Sequence, residues 1–359
     1  MVTILPNHTL TTALACALLR LRLRCVRVGD QDFVASMSMS PLASHKLLGR
    51  TLDGRDLDLL IVGTGPLKAW AIHRQHPGES QAEWYAEGLL GRLVSNDAIA
   101  RKLRSLYAFY VVPNMNPDGS VRGHLRTNAC GANLNREWQT TGDYVAPSLE
   151  RSPEVYHTLA EMDKTGVDFF VDVHGDEEIP MPFVAGMEGL PVWGPRLEAL
   201  QGAFVASYVR ANPDFQAEIS YEPEPPGAGN LAICSNQVSQ RFDCLGLTLE
   251  QPYKDCSVIP DPEVGWSPEK CKALGASLLD VASHLQPYLR AEGPFWATMD
   301  ARDAYVRPVE GTAHSTLPAR SAGNVYNEDD ALLALDKKLA DAESLVNSLK
   351  SQRAVIKET

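Results

Sequence analysis

Short apolar runs alternate along the chain with longer segments in which apolar side chains recur every three to four residues. Buried strands are predicted for five runs: 57–62, 67–73, 106–112, 167–173 and 245–249. Helices are predicted between them, at 79–93, 101–105 and 153–164. A hairpin is predicted at 47–55, with Asp53-Gly54 as its turn. Strands that alternate with helices predict an α/β fold with a mixed, largely parallel central sheet flanked by helices.

Three side chains capable of chemistry lie at the ends of predicted strands. His76 follows the run 67–73, His174 directly follows 167–173, and Glu250 follows Leu249 at the end of the last run. The carboxyl ends of parallel strands meet at one edge of a sheet, and α/β proteins bind their ligands there. We therefore expect these three residues to share one site.

The segment His76-Pro-Gly-Glu79 places an imidazole and a carboxylate three residues apart across a tight turn. Zinc binds such nitrogen and oxygen atoms at roughly 2.0–2.2 Å, and catalytic sites combine three protein ligands with one open position. The short pair alone also fits an ordinary surface or core histidine, but the position of His174 favours a metal site. His73 is a competing ligand three residues earlier, which we place inside its strand as a packed histidine.

The composition is that of an ordinary globular protein and excludes two kinds of partner. Hydrophobic residues make up 44% and charged residues 22%, and the net charge is −12. Nucleic-acid binding needs a basic face, and the negative net charge argues against it. A membrane span needs roughly 20 consecutive apolar residues, and no apolar run of this chain approaches that length. The seven cysteines are odd in number and lack C-x-x-C spacing, which indicates reduced thiols and fits a cytoplasmic protein.

Five short motifs occur in order: His76-Pro-Gly-Glu-Ser80, Val112-Pro-Asn-Met-Asn-Pro-Asp-Gly-Ser120, Gly131-Ala-Asn-Leu-Asn-Arg-Glu-Trp138, Asp172-Val-His-Gly-Asp176 and Thr248-Leu-Glu250. Together they resemble the M14-type zinc metallocarboxypeptidases, and within them the bacterial-type members of the cytosolic carboxypeptidase branch. The resemblance covers roughly residues 45 to 290. It implies a zinc-carboxypeptidase-like fold that holds one zinc ion per chain.

The family's residue roles carry over to matching positions. His76, Glu79 and His174 match the metal ligands, and Glu250 matches the general base that takes a proton from the zinc-activated water. Asp172 alternates with apolar residues of its strand and is a candidate to orient a ligand histidine.

Three further residues match substrate-binding positions of the family. Arg126 matches the arginine that polarises the scissile carbonyl, while Asn135 and Arg136 match the pair that binds the substrate's terminal carboxylate. The planar fork of an arginine suits a carboxylate. A solvated loop charge is the alternative for both arginines, although the surrounding asparagines and glycines favour a shaped loop.

The resemblance implies hydrolysis of the C-terminal peptide bond of peptides or protein tails. Two alternatives stay open: a zinc amidohydrolase of N-acyl amino acids, and an inactive binding protein that acts through its C-terminal helix. Acidic terminal residues such as glutamate would be preferred if Arg241 or Lys254 pointed into the pocket. The digestive members of the family have a mobile tyrosine, for which Tyr221 is the nearest candidate, but its spacing does not match.

The chain divides into five predicted segments: 1–45 an N-terminal remnant or truncated β-sandwich, 46–290 the catalytic domain, 291–327 a linker, 328–350 an amphipathic or coiled-coil-like helix, and 351–359 a tail. The alternation at 21–27 indicates an edge strand, and its arginines leave organelle targeting as an alternative. The apolar stripe at 332–349 has coiled-coil spacing, which predicts either self-association or docking on the catalytic domain.

Overall fold

One mixed sheet of seven strands forms the centre of the computed structural model, which describes residues 30–139 and 147–295. The strands, in chain order, are β1 (Ala43–Arg50), β2 (Asp56–Val62), β3 (Leu67–His73), β4 (Tyr107–Val112), β5 (Phe169–Val173), β6 (Phe183–Ala185) and β7 (Leu245–Glu250). Their order in the sheet is β1-β2-β4-β3-β5-β7-β6. The four central strands β4, β3, β5 and β7 run parallel, and the outer pairings are antiparallel.

Helices cover both faces of this sheet. They are α1 (Asp30–Ser38), α2 (Gln81–Leu93), α3 (Ala98–Leu106), α4 (Pro117–Arg122), α5 (Pro153–Thr165), α6 (Pro195–Ala211), α7 (Cys234–Phe242) and α8 (Pro268–Leu285). Apolar side chains of α2, α3, α6 and α8 pack in one core cluster with one face of the sheet. Side chains of α5 and α7 pack in a second cluster against the other face. The predicted α/β fold with a mixed, largely parallel sheet is therefore confirmed.

Burial explains why the strands could be recognised from the apolar runs in the sequence. Every residue of β5 and β7 is buried, as is expected for central parallel strands covered by helices on both faces. By contrast, β1 lies at the edge of the sheet and exposes most of its residues. The hairpin predicted at 47–55 is present, with β1 paired to β2 and Gly54 at a positive φ of 78° in the turn.

Several elements had no clear signal in the sequence. Residues 30–38 form helix α1, although a strand or irregular structure was expected before residue 46, and Val34 of this helix lies in the core. Helices α6, α7 and α8 were not predicted either. The strand expected at 21–27 and the helix expected at 328–350 lie outside the described residues, and the five-segment division remains a prediction.

The described part of the chain bears on the predictions about membrane spans and disulfides. Among its helices, none is long and apolar enough to cross a membrane. Its cysteines at 130, 234, 244, 256 and 271 form no disulfide with one another.

Two glycines allow α2 and α8 to approach closely. A Cβ atom at Gly88 would lie 2.0 Å from the Lys272 carbonyl oxygen, and one at Gly275 would lie 2.1 Å from that of Tyr85. We therefore expect Gly88→Ala to lower the free energy of unfolding by about 1–3 kcal/mol, because the helix backbone cannot move aside. Denaturant unfolding followed by circular dichroism measures this change.

Gly91 provides the matched control in the same helix. A Cβ atom there meets nothing within 4 Å, so Gly91→Ala is expected to stabilise the protein by roughly 0.8–1.0 kcal/mol through helix propensity. Equal unfolding free energies for the two alanine variants would contradict the close approach of α2 and α8.

Candidate metal centre and active site

His76, Glu79 and His174 converge beyond the carboxyl ends of β3 and β5. Candidate ligand atoms of the three residues all lie within 4.8 Å of one another. His76 Nδ1 lies 2.6 Å from Glu79 Oε1, and His174 Nδ1 lies 2.9 Å from Glu79 Oε2. The two Nδ1 atoms are 3.2 Å apart. All three side chains are buried, so the sequence-predicted ligands form one compact cluster.

The outer nitrogen of each ring faces a hydrogen-bond acceptor. His76 Nε2 lies 2.9 Å from Asn133 Oδ1, and His174 Nε2 lies 2.9 Å from Asp172 Oδ2. With the proton of each neutral ring on Nε2 and donated to that acceptor, Nδ1 is left with its lone pair directed inward, toward the Glu79 oxygens. Such outer partners fix the tautomer and orientation of metal-binding histidines.

The electrostatics of the cluster favour a bound cation. Burial lowers the pKa of His174, but the carboxylates of Asp172 and Glu79 outweigh burial and raise that pKa well above its usual value. Burial acts to raise the pKa of Glu79, yet the His174 and His76 rings lower it. The carboxylates thus draw positive charge toward the two Nδ1 atoms, whether it comes from a proton or a metal ion.

This donor set fits zinc. Two imidazole nitrogens and a carboxylate are ligands that catalytic zinc sites use, and tetrahedral coordination at 2.0–2.1 Å separates ligand atoms by about 3.3 Å. The observed separations of 2.6, 2.9 and 3.2 Å are close to that value. Two lone pairs directed at each other are also unfavourable unless a cation lies between them. The cluster is therefore a candidate zinc site.

A chain of buried hydrogen bonds holds Asp172, the partner of His174 Nε2, in place. Gln75 Nε2 donates to Asp172 Oδ2 at 2.6 Å, and Gln75 Oε1 accepts from Trp138 Nε1 at 2.9 Å. Asp172 lies on β5, where the sequence indicated a partner for a ligand histidine. No role for Gln75 or Trp138 was predicted from the sequence, because their contacts depend on loops that meet only in the folded chain.

The motif Asn114-Met-Asn116 supports the metal loop, residues 74–80 between β3 and α2, from its other side. Met115 N donates to the carbonyl of His73, and Asn116 Nδ2 donates to that of Gln75 at 2.9 Å. The Asn116 side chain also accepts from Gly119 N at the start of α4. Met115 and Asn116 therefore hold the backbone that leads into His76.

Glu250 ends β7 and reaches the same cavity. Its side chain is buried, and its Oε2 atom has no hydrogen-bond partner among the described residues. Burial raises the pKa of this carboxyl to about 8. A divalent cation bound in the cavity would lower it again, because an opposite charge favours the ionised form. A carboxylate with one unpartnered oxygen beside a candidate metal site is suited to accept a proton.

Tyr221 joins this group although its sequence spacing did not match. Its hydroxyl donates to Asp176 Oδ2 at 2.5 Å and lies 3.4 Å from Glu250 Oε1. The ring packs edge-on against Phe183 with centroids 5.0 Å apart. The residue lies in the segment between α6 and α7, which has no regular structure and so no periodicity that indicates where its side chains point.

Arg126, Asn135 and Arg136 lie along the wall of the cavity, in the segment between α4 and α5, where Leu134–Arg136 form a short 3-10 helix. Cys234 N donates to Asn135 Oδ1 at 2.8 Å, which fixes the amide so that Nδ2 lies 3.5 Å from His174 Nε2. Burial and the nearby Arg126 lower the pKa of Arg136. Two guanidinium groups held near each other in a cavity suit an anionic ligand.

The cavity that these residues share has a volume of about 460 Å³ and lies at the carboxyl edge of the sheet. All seven residues selected from the sequence line it: His76, Glu79, Arg126, Asn135, Arg136, His174 and Glu250. Hydroxyl and amide side chains of Ser235, Asn236 and Thr248 also line it, as do the carboxylates of Glu188, Glu222 and Glu224.

Three other candidates lie elsewhere. His73 is fully buried at the end of β3, where Nδ1 lies 2.9 Å from the Val112 carbonyl and burial lowers its pKa to about 4, so it is a packed histidine. Arg241 pairs with Asp163 at 2.7 Å on the surface. Lys254 is exposed, and neither of these two cations lines the cavity. The idea that one of them enters the pocket is therefore wrong.

Comparison with known proteins matches the chain to one protein family and to individual proteins. The sequence profile of the zinc carboxypeptidases, peptidase M14, matches residues 34–188. An uncharacterized protein of Zymomonas mobilis is 47% identical over 263 residues, which cover 73% of this chain and 68% of that protein. Human cytosolic carboxypeptidase 4 is 35% identical over 113 residues, which are 32% of this chain and 10% of that protein.

A solved structure agrees with these matches. The metallo-carboxypeptidase of Pseudomonas aeruginosa, in complex with (2-guanidinoethylmercapto)succinic acid, is 42% identical with a TM-score of 0.69. The match covers 72% of this chain and 68% of that one. The predicted resemblance is confirmed, and with identities of 42% and 47% over more than two thirds of two relatives, this chain belongs to the zinc carboxypeptidase family.

Proposed function

We propose that the protein is a zinc-dependent carboxypeptidase that hydrolyses the C-terminal peptide bond of peptides or protein tails. The observation that carries the proposal is the cavity in which the His76, Glu79 and His174 cluster, the Glu250 carboxylate and two arginines meet. Each of these groups serves one step of peptide hydrolysis at a chain end. One zinc ion per chain follows from the single cluster of this kind among the described residues.

In this proposal, His76 and His174 would hold zinc through Nδ1, and Glu79 would hold it through its carboxylate. When bound, zinc supplies Lewis-acid polarisation of the scissile carbonyl and lowers the pKa of the attacking water to about 7. Glu250 takes the proton from that water as the new C–O bond forms. It then delivers the proton to the leaving amine as the C–N bond breaks, which requires a base and then an acid at one position.

The arginines act on the substrate itself. Arg126 donates to the carbonyl oxygen as negative charge develops there, which favours the transition state over the ground state. Arg136 and the Nδ2 group of Asn135 bind the terminal carboxylate, which restricts cleavage to the last peptide bond. The Pseudomonas relative binds a compound with a succinic acid group, and a dicarboxylate in that protein supports a carboxylate-binding cavity in this one.

Glutamate release was expected only if Arg241 or Lys254 entered the cavity, and neither lines it. With Arg126 and Arg136 assigned to the main chain of the substrate, no cation among the lining residues is left for an acidic side chain. We therefore propose that terminal glutamate is not preferred over terminal leucine.

Release of the last residue from a set of peptides tests the proposal. The peptides share one sequence and end in Glu, Leu or Lys, each with a free or an amidated C-terminus, and an N-acetyl amino acid is added as a further substrate. We expect zinc-dependent release that is much faster from the free peptides than from the amidated ones, with leucine released at least as fast as glutamate.

Two results would count against the proposal in different ways. Faster turnover of the N-acetyl amino acid than of any peptide would favour the amidohydrolase. No hydrolysis of any substrate by the zinc-loaded protein would favour a binding protein.

A further inference from the structure

Arg74 connects the turn between two proposed zinc ligands to helix α2. Its Nε atom donates to the carbonyl of Pro77 at 2.7 Å, and its Nη1 atom donates to Glu83 Oε1 at 2.8 Å. Pro77 lies between His76 and Glu79, and Glu83 lies in the first turn of α2. One guanidinium group therefore fixes the turn and the helix that follows it relative to each other.

The partners of Arg74 are held in place as well. Glu83 Oε1 also accepts from Asn114 Nδ2 at 2.6 Å, and Asn114 Oδ1 accepts from Asn116 N at 2.8 Å. The side chains of Arg74, Glu83 and Asn114 are all buried. The ion pair is thus part of a buried polar network that links the metal loop, α2 and the loop that follows β4.

Two features of Arg74 are unfavourable for stability. Its φ of 57° lies in the left-handed region, which residues other than glycine rarely adopt. A buried ion pair also gains little net stability, because removing both charges from water offsets their attraction. Strain and buried charge that coincide beside a functional site suggest a role in the site itself.

We propose that Arg74, acting with Glu83, is a positioning residue that fixes the turn from His76 to Glu79 in its zinc-binding conformation before the ion arrives. This inference rests on the proposed zinc site. The turn contains Pro77 and Gly78, and neither has a side chain that can hydrogen-bond. The hydrogen bond from Arg74 to the Pro77 carbonyl therefore restrains the turn between the two ligands.

Zinc affinity of the full-length protein tests this inference. Protein freed of metal is titrated with zinc in competition with a chromophoric chelator at constant pH, and folding is checked by circular dichroism. Arg74→Lys keeps the charge but loses the fork, so we expect the dissociation constant for zinc to rise about tenfold to hundredfold. Glu83→Gln is expected to raise it in the same direction by a smaller factor.

Arg92→Lys is the matched control. Arg92 lies at the other end of α2 and, like Arg74, donates to one backbone carbonyl, that of Ala276, and to carboxylates, those of Asp280 and Asp97. Its contacts with Ala276 and Asp280 join the end of α2 away from His76 and Glu79 to α8. We expect Arg92→Lys to bind zinc within twofold of the unaltered protein.

The inference is overturned if Arg74→Lys and Glu83→Gln both bind zinc within twofold of the unaltered protein. It is also overturned if Arg74→Lys fails to fold while Glu83→Gln binds zinc normally, because the pair would then serve stability alone. Failure of the unaltered protein to bind zinc would contradict the proposed function instead, so the two failures are distinct.

Discussion

Replacement of Glu250 by glutamine is expected to reduce kcat by more than about a hundredfold. An amide of the same shape cannot take a proton from water, and general-base catalysis contributes typically 10²–10⁴-fold. Zinc content and the peptide's dissociation constant should stay close to those of the unaltered protein, since the amide keeps the size of the side chain. Initial rates on a peptide with a free C-terminus, together with metal analysis, measure both effects.

Glu154→Gln controls for the loss of a buried carboxylate. Glu154 is also fully buried, its pKa is raised to about 7 by burial, and one of its oxygens lacks a partner among the described residues. It does not line the cavity, and its contact with Asn128 can be kept by the glutamine oxygen. We expect this variant to retain kcat within a few fold. Equal rates for Glu250→Gln and the unaltered protein would reject the general-base role.

Replacement of Arg136 by glutamine is expected to reduce kcat/KM by about a hundredfold on peptides with a free C-terminus. A hydrogen bond to a charged group contributes about 1.5–3 kcal/mol, and each 1.36 kcal/mol corresponds to a factor of ten in rate. The loss arises because the substrate carboxylate enters the cavity without its cationic partner. Steady-state kinetics on matched free and amidated peptides measure it.

A double-mutant cycle separates this role from a general disturbance of the cavity. If Arg136 binds the terminal carboxylate, amidation of the peptide removes most of the difference between the variant and the unaltered protein. Arg122→Gln is the control for the loss of an exposed arginine, because Arg122 pairs with Asp53 and does not line the cavity. A loss of equal size on free and amidated peptides would show that Arg136 acts in some other way.

The central strands could be predicted because their burial leaves a simple record in the sequence. Both faces of β5 and β7 are covered, so their residues form unbroken apolar runs that differ from the flanking turns. The helix α1 could not be predicted, because its residues 30–38 have a mixed composition and only Val34 among its described side chains is fully buried. Where packing is limited, local pattern carries little information.

The proposed metal ligands could be identified from the sequence for a different reason. His76 and Glu79 are neighbours in the sequence, and His174 follows a strand whose end the apolar pattern marks. The partners that orient them were harder to find: Asn133 reaches His76 across 57 residues, and Gln75 reaches Asp172 across 97. Such pairs depend on how loops fold over the sheet edge, which no local pattern records.

The error about Arg241 has the same origin. This residue lies in α7, within ten residues of Glu250, and nearness in the sequence suggested nearness to the cavity. A helix turns its side chains through 100° per residue, however, and Arg241 faces Asp163 of α5 instead. Tyr221 shows the converse, since 29 residues separate it from Glu250 and yet its hydroxyl approaches that carboxylate.

Anomalous diffraction at the zinc edge, from crystals of the protein loaded with one equivalent of zinc, tests the metal centre most directly. We expect one peak per chain, roughly 2.0–2.2 Å from His76 Nδ1, His174 Nδ1 and a carboxylate oxygen of Glu79. A peak at other side chains, or no peak in a protein that nevertheless hydrolyses peptides, would contradict the proposed site.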